Sequence, residues 1–161
     1  MGTGNNLMNQ LIFKFPFKTM YYEQDYYVSD NNFSVYRLIE SWPNWPDKFV
    51  NIFGPKGCGK THLSNIFKKK IKSFYIEAKD FKETNIVTSI ENKECLIIDD
   101  YKNNIEENTF YSILNFIKQA NKYVIINSIH PIKNEEIKFK DLKSRLNSFI
   151  DIGVELPTDD L

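Results

Sequence analysis

The chain has only two cysteines, no excess of charge of either sign and no long run of apolar residues. Cys58 and Cys95 are too few for a disulfide framework and lack the spacing of metal ligands. Lysine and arginine together number 21, as do aspartate and glutamate, so nothing indicates a large nucleic-acid footprint. No apolar segment approaches the roughly 20 residues of a transmembrane helix, and the polar N-terminus does not resemble a signal peptide. These absences favour a globular protein of the cytoplasm.

What is present is an alternation of strands and helices. With 161 residues, the chain is long enough for one domain with a substantial core. Short and almost continuously apolar segments, typical of buried strands, lie at residues 48–54, 73–78, 94–100, 122–128 and 149–156. Segments with helical spacing lie before and between them, at residues 31–42, 60–71, 81–92, 105–121 and 139–148. This order predicts an α/β fold of three layers, in which a five-stranded parallel sheet is covered by helices on both faces.

The clearest chemical signal is a glycine-rich segment between the first predicted strand of this sheet and the next helix. The segment consists of Gly54, Pro55, Lys56, Gly57, Cys58, Gly59, Lys60 and Thr61. It fits the pattern G-x-x-x-x-G-K-[ST], which places backbone N–H groups and a helix N-terminus around phosphate oxygens. In such a loop Lys60 contacts the β and γ phosphates of a nucleotide, and the Thr61 hydroxyl binds Mg²⁺. The alternative is a glycine-rich turn without a ligand.

Polar residues end two of the later strands. Asp99 and Asp100 close the segment "CLIIDD", where a phosphate-loop site needs a carboxylate for Mg²⁺ or its bound water. We expect Asp99 in that role and Asp100 as the group that polarises an attacking water. Asn127 or Ser128, at the end of the following strand, would reach between these carboxylates and the γ phosphate. Without a nucleotide, the same residues would be ordinary solvated side chains at strand ends.

Taken in order, the phosphate loop, "LIIDD", the polar strand end and "LKSRL" resemble the AAA+ ATPase core of DnaA/Hda-type replication proteins. The stretches "GKTHL" and "YIEAKDF" add to this resemblance, which runs from about Tyr22 to the C-terminus. Within the family, "SWPNWP" and the short spacing between the second and third strands resemble the Hda proteins of alphaproteobacteria. The resemblance therefore implies a nucleotide-binding regulator, and more narrowly an inhibitor, of DNA replication initiation.

The resemblance also implies roles for further residues. The nucleotide would be ADP or ATP with Mg²⁺, and intrinsic turnover would be weak or absent. Tyr27 and Val28, together with Tyr26, would line the adenine pocket, and His62 would belong to the nucleotide site. Arg145 in "LKSRL" would be an arginine finger that promotes hydrolysis of ATP bound to DnaA. Taken alone, Arg145 would be an ordinary surface charge.

The first residues of the chain carry alternate apolar side chains in the stretch "QLIFKF". Leu11, Phe13 and Phe15 would point to one side of an extended segment, with Gln10 before them. The resemblance implies that this motif docks in the peptide pocket of the DNA-polymerase sliding clamp. The alternatives are an arm that folds onto its own domain and an edge strand of the sheet.

Two parts are expected: an arm with the clamp-binding motif at residues 1–21 and the nucleotide-binding domain at residues 22–161. The chain ends at Leu161, shortly after the fifth strand, so the helical lid of AAA+ proteins is expected to be absent. The expected partners are DnaA and the sliding clamp, with DNA contacted only indirectly, no membrane, and homo-oligomer formation left open. The alternative functions are a self-sufficient P-loop ATPase or kinase, a helicase-loader type of AAA+ protein, and an inactive remnant of the fold.

Overall fold

Residues 20–22, 26–28, 33–56 and 60–154 are described in the computed structural model, with side chains from residue 36 onward except that of Thr61. The first described elements are two short antiparallel strands, β1 (Met20–Tyr22) and β2 (Tyr26–Val28). Five further strands follow in chain order: β3 (Phe49–Phe53), β4 (Ser73–Glu77), β5 (Cys95–Tyr101), β6 (Tyr123–Ser128) and β7 (Ile150–Gly153).

Strands β3 to β7 form a parallel sheet, which confirms the predicted fold class. Across the sheet they lie in the order β4-β5-β6-β3-β7, so β6 is inserted between β3 and β5. Because all five strands run in one direction, their C-terminal ends meet at one edge of the sheet, here called the carboxyl edge. Their N-terminal ends meet at the opposite edge, here called the amino edge.

Helices cover both faces of this sheet. They are α1 (Phe33–Ser41), α2 (Lys60–Lys70), α3 (Glu83–Ser89), α4 (Glu107–Gln119) and α5 (Lys140–Asn147). Neighbouring residues of β5 belong to different core clusters: Ile97 to the cluster of Phe67 in α2, and Ile98 to that of Phe110 in α4. A sheet covered on both faces needs apolar side chains at successive positions, which explains the continuous apolar segments. In the described part of the chain, no helix has both the length and the apolar character needed to cross a membrane.

Helix α4 has well-defined ends. The carboxylate of Glu106 accepts hydrogen bonds from the backbone N–H groups of Asn108 (2.8 Å) and Thr109 (3.0 Å), which caps the first turn. The side chain of Thr109 and these two N–H groups lower the pKa of Glu106. At the other end, Asn121 has φ 61°, a left-handed conformation that asparagine tolerates at helix ends. The Lys122 ammonium then donates to three backbone carbonyls in the loop after α3. The first turn of α4 is therefore capped, and Lys122, which follows its last turn, is anchored to the loop after α3.

The structure contains elements that the sequence pattern did not predict. They are the antiparallel pair of β1 and β2 and two 3₁₀ helices, Ala78–Asp80 and Ile132–Asn134. Elements of three residues are too short to show a period of 2 or 3.6, so pattern reasoning misses them. Strand β1 crosses the expected boundary between residues 21 and 22. The strand predicted at residues 149–156 is confirmed over Ile150–Gly153.

Candidate nucleotide site

The phosphate-loop segment connects the end of β3 to the start of α2. Gly54 follows β3 directly, and its N–H donates to the Ser128 carbonyl oxygen at the end of β6 (3.0 Å). Pro55 and Lys56 are exposed to solvent. Outside the described part lie Gly57, Cys58 and Gly59, together with the Thr61 side chain. The described ends of the loop therefore lie at the carboxyl edge, over the junction of β3 and β6.

Lys60 is the first residue of α2, and its side chain turns back over the loop. Its ammonium donates to the carbonyl oxygens of Gly54 and Pro55, the latter at 3.2 Å. Neutral carbonyls are weaker partners for an ammonium than charged phosphate oxygens. A phosphate group brought to this loop could therefore take over hydrogen bonds that the carbonyls now accept.

The carboxylate of Asp99 lies at the carboxyl edge and is the acceptor of a hydrogen-bond network. Its Oδ1 accepts from the Asp100 N–H (2.9 Å) and from Nδ2 of Asn127 (3.3 Å). Its Oδ2 accepts from the Tyr75 hydroxyl on the adjacent strand β4. Only 8% of Asp99 is exposed, so these donors replace water around the carboxylate. Burial, and then the hydrogen bond to Asp99, raise the pKa of the Tyr75 phenol, which keeps it protonated as a donor.

Asn127 links this carboxylate to the helix that begins at Lys60. Its Nδ2 also lies 2.5 Å from Oγ of Ser64, which is buried on α2 one turn after Lys60. Residues four apart lie on the same face of a helix, so Ser64 and Lys60 share one face of α2. The structure thus brings together Asp99 and Asn127, which the sequence predicted, with Ser64 and Tyr75, which it did not.

The Asp99 end of the network offers a carboxylate oxygen, the kind of ligand that suits a hydrated Mg²⁺. Mg²⁺ usually takes one or two carboxylates, keeps several waters and binds substrate phosphates. Oδ1 of Asn127 is buried and accepts no hydrogen bond from the described residues, although such atoms normally have a partner. A metal-bound water would supply that donor. No group of three or more His, Cys, Asp or Glu side chains that could hold a metal ion occurs in the described ranges, so phosphates and water would complete the coordination.

Asp100, predicted as the group that polarises water, differs from its neighbour. Its side chain is exposed, and Oδ2 lies 3.4 Å from the Lys102 ammonium. Its φ is 54°, and the ladder between β5 and β6 shifts register between Ile98 and Tyr101. A non-glycine residue in this left-handed region is uncommon and is found mainly in turns and at functional sites. The geometry directs Asp99 into the network and Asp100 towards solvent.

The buried side chain of Asn51 bonds to the two residues on either side of Asn127, Ile126 and Ser128. Nδ2 of Asn51 donates to the Ile126 carbonyl oxygen and to Oγ of Ser128, both at 2.9 Å. Its Oδ1 accepts from the N–H of Ile132 (3.0 Å), at the start of a 3₁₀ helix. Pattern reasoning missed this residue, although an asparagine inside the apolar strand "FVNIF" was a signal for it. Asn51 thus positions the end of β6.

Arg145 lies at the amino edge, away from the phosphate loop. It is on α5 and lines a depression together with Phe49, the first residue of β3, and Asn121 and Lys122, just before β6. The loop follows the C-terminal end of β3, Asp99 lies near the C-terminal end of β5, and a five-residue strand spans about 17 Å. The guanidinium carbon lies 5.7 Å from the centre of the Tyr111 ring. Arg145 therefore does not share a site with Lys60 within one chain.

The other predicted site residues are only partly described. Tyr27 and Val28 belong to β2, where they pair with Tyr21 and Met20 of β1. Their side chains are outside the described part, as are all of the predicted clamp-binding residues Gln10, Leu11, Phe13 and Phe15. His62 is on α2, two residues after Lys60, and is half-buried. Their expected roles stay predictions.

The position of β6 indicates the class of P-loop domain. The loop follows β3, Asp99 lies near the C-terminal end of β5, and Asn127 lies near that of the strand inserted between them. Such an arrangement lets a polar side chain reach both the carboxylate and the helix after the loop, as the contacts of Asn127 do. The fold and the site define a P-loop domain of the AAA+ type.

The chain belongs to the family whose model is described as RNA helicase. That model matches residues 50–140, more than half of the chain. The matched range includes the phosphate loop, Asp99 and Asn127 and ends before Arg145. No curated protein sequence matches the chain.

Solved structures of replication proteins share the fold. AMPPCP-bound DnaA from Aquifex aeolicus is 25% identical, with a TM-score of 0.63 over 81% of this chain and 48% of that chain. Domain III of the replication initiation protein DnaA from Thermotoga maritima is 22% identical, with a TM-score of 0.63 over 83% and 66%. The protein DnaI is 16% identical, with a TM-score of 0.59 over 81% and 87%. The expected relation of the fold to DnaA is confirmed.

The extent of these matches differs between the chains. This chain spans about half the length of the Aquifex DnaA structure (48%) and of a DNA replication initiation factor (49%). It covers most of the DnaI structure. The likenesses below 25% identity show the fold alone, and the activity and partners of this protein are therefore matters for proposal.

Proposed function

We propose that this protein is a nucleotide-binding regulator of DNA replication initiation built on an AAA+ P-loop domain. The observation that supports this most is the convergence of Lys60, Asp99 and Asn127 at the carboxyl edge. These residues belong to three different elements, α2, β5 and β6. The likeness to DnaA, which binds AMPPCP in its Aquifex structure, supports an adenine nucleotide as the ligand.

The nucleotide is ADP or ATP, with its phosphates on the loop from Gly54 to Thr61. Lys60 binds the β and γ phosphates, and Thr61 and Asp99 would hold Mg²⁺ directly or through water. When bound, Mg²⁺ supplies charge that neutralises the phosphate oxygens. Asn127 fixes the Asp99 carboxylate and offers its free Oδ1 to a water at the γ phosphate. The adenine ring lies against Tyr27 and Val28, and His62 borders the site.

Arg145 acts in trans, on a nucleotide that another chain holds. Its place at the amino edge supports this, because one end of the domain cannot serve the site at the other end. A guanidinium next to a transferring phosphoryl group stabilises the charge that develops there and can raise the rate by about 10³- to 10⁵-fold. The partner that holds the ATP is DnaA, as in a regulator of the Hda type.

The arm at residues 1–21 tethers the protein to the sliding clamp through Gln10, Leu11, Phe13 and Phe15. Alternate apolar side chains of an extended peptide can fill a groove while a polar residue bonds at its rim. The nucleotide-binding domain at residues 22–161 would then be held close to newly replicated DNA.

Calorimetry with ADP and ATP tests nucleotide binding at the loop. Lys60→Ala removes the ammonium that meets the phosphates, and the affinity should fall at least tenfold, since hydrogen bonds to charged groups are each worth about 1.5 to 3 kcal/mol. Lys69→Ala is the matched control, because Lys69 is exposed near the other end of the same helix. Equal affinities in the Lys60→Ala variant and the parent would remove the nucleotide from the proposal.

A self-sufficient, helicase-like ATPase is the second candidate, and the family match favours it. This alternative predicts that the isolated protein hydrolyses ATP with many turnovers and that added RNA stimulates it. The regulator proposal predicts little ATP turnover by the protein alone and strong stimulation of the hydrolysis of ATP bound to DnaA. Measuring ATP hydrolysis with the protein alone, with single-stranded RNA and with ATP-bound DnaA distinguishes the two.

A further inference from the structure

We propose that Lys118 and Arg145 form a two-cation site for an oxyanion at the amino edge, and that the oxyanion is the terminal phosphate of a nucleotide held by another chain. The site itself follows from the geometry of the groove. The source of the phosphate rests on the proposed function.

Two depressions, of about 270 and 350 Å³, share Arg145 as a lining residue. Both are lined by Lys118, Arg145 and Ser148, so these three residues belong to one groove between α4 and α5. Lys118 is exposed on the last turn of α4, and Arg145 is on the last turn of α5. The groove is open enough to admit a phosphate group.

The guanidinium of Arg145 is oriented and incompletely bonded. Its carbon lies 5.7 Å from the centre of the Tyr111 ring, a distance at which the ring face attracts a cation. Its Nη1 is buried and has no hydrogen-bond acceptor among the described residues. A buried donor without an acceptor is costly, so an acceptor from outside the chain would be bound favourably.

Lys118 differs from the other lysines that line the groove. The Lys122 ammonium is used by three backbone carbonyls, at 2.7 to 3.0 Å. The Lys48 ammonium donates to the Asn121 carbonyl and lies 4.6 Å from the centre of the Tyr123 ring. Within the described ranges, the Lys118 ammonium has neither an ion pair nor a hydrogen bond. It is therefore available to a ligand.

Two acidic residues also line the groove, Asp47 in one depression and Asp141 in the other. The carboxylate of Asp47 accepts a hydrogen bond from the N–H of Phe49, the first residue of β3 (3.1 Å). In the part of the chain that the structure describes, neither acid forms an ion pair with Lys118 or Arg145. Two cations that face one groove favour a ligand with more than one negative charge, which is a phosphate rather than a carboxylate.

Nuclear magnetic resonance of the full chain tests the site with pyrophosphate as the probe. The chain has only two arginines, Arg37 and Arg145, so their side-chain Nε–H signals can be assigned by one substitution. We expect the Arg145 signal to shift and saturate with pyrophosphate, while the Arg37 signal changes little. Lys118→Gln should weaken this binding about fivefold or more, and Lys69→Gln should leave it unchanged. Repeating the titration with Lys60→Ala separates the groove from the phosphate loop.

Three outcomes would overturn the site: an Arg145 signal that does not saturate, an unchanged affinity in Lys118→Gln, or equal saturation by acetate. The source of the phosphate is tested separately, by hydrolysis of ATP bound to DnaA. A loss of stimulation in Lys118→Gln supports the nucleotide as the source. If the parent protein binds pyrophosphate at Arg145 but stimulates no hydrolysis, the site stands and both the source and the proposed function are overturned.

Discussion

The polar groups at the two edges of the sheet differ in whether they have partners within the chain. At the carboxyl edge, Asp99, Asn127 and Ser64 are buried and bond to one another, with one free oxygen. At the amino edge, Lys118 and Arg145 line an open groove without an acidic partner among the described residues. A network of paired polar groups fixes geometry inside one chain, whereas cations without an ion pair favour an anion from outside it. This difference is what the proposed function would require: a nucleotide bound in cis at one edge and action in trans at the other.

The largest effect is expected from a substitution at the amino edge that should leave the carboxyl edge unaffected. Arg145→Ala should lower the rate of stimulated hydrolysis of DnaA-bound ATP by about 10³-fold or more, because it removes the charge that meets the phosphoryl group. The affinity of the protein for its own ADP or ATP should stay the same, since Arg145 lies at the opposite edge of the sheet from that site. A stimulation assay containing clamp and DNA, together with calorimetry, measures both. Arg37→Ala is the control arginine. A loss of the protein's own nucleotide binding in Arg145→Ala would break the division between the edges.

The next effect concerns the support of the carboxyl edge. Asn51→Ala leaves the N–H of Ile132 buried without its acceptor, and such a loss costs about 1 to 3 kcal/mol of the free energy of unfolding. The urea midpoint should fall accordingly, with an unchanged slope. Asn65→Ala is the matched control, because Asn65 is exposed on α2. An equal midpoint in the two variants would mean that Asn51 does not fix the end of β6.

The fold was predictable from the sequence because its signals are local. Continuous apolar strands, helical spacing and the loop between β3 and α2 give a parallel α/β sheet, and Asp99 and Asn127 follow as strand ends. The supporting contacts were not predictable in this way. Tyr75 meets Asp99 only because β4 pairs with β5 in one register, and Asn51 meets Ser128 only because β6 is inserted beside β3. Strand order and register are set by packing between distant segments, which a local pattern does not contain.

A smaller effect is expected at the Tyr75 hydroxyl. Tyr75→Phe removes the hydrogen bond to Oδ2 of Asp99, and outer contacts of this kind usually change metal affinity by about tenfold or more. The Mg²⁺-dependent part of nucleotide affinity should therefore fall about tenfold, while affinity without Mg²⁺ stays the same. Burial and Asp99 raise the pKa of the phenol, so the difference should persist beyond about pH 10, where an ordinary tyrosine ionises.

Tyr123→Phe is the control for Tyr75→Phe. The Tyr123 hydroxyl donates to a backbone carbonyl near the amino edge (3.3 Å), so its loss should leave the nucleotide site unchanged. If both variants lose affinity equally, or if Tyr75→Phe weakens binding equally with and without Mg²⁺, Tyr75 acts through the fold rather than through Asp99.

The smallest effect concerns a buried acid between the two edges. Asp151 on β7 pairs with the Lys133 ammonium (2.9 Å), but its Oδ1 has no hydrogen-bond partner among the described residues. Burial raises the pKa of Asp151, and Lys133 only partly offsets this. The folded state therefore holds the proton more tightly than the unfolded chain does. The stability from this residue is present below the unfolded pKa, near 3.8, and is lost as the pH rises through the folded pKa.

Asp151→Asn should remove this dependence, because the amide does not titrate. Measured by urea unfolding from about pH 3 to 6, the free energy of the parent relative to Asp151→Asn should decrease as the pH rises. Asp141→Asn is the control, since Asp141 is exposed on α5. A difference that increases with pH would mean that Lys133 outweighs burial. In that case an oxygen without a hydrogen-bond partner would not by itself identify an unsatisfied group. The free Nη1 of Arg145 would then need the pyrophosphate titration to establish that it binds an anion.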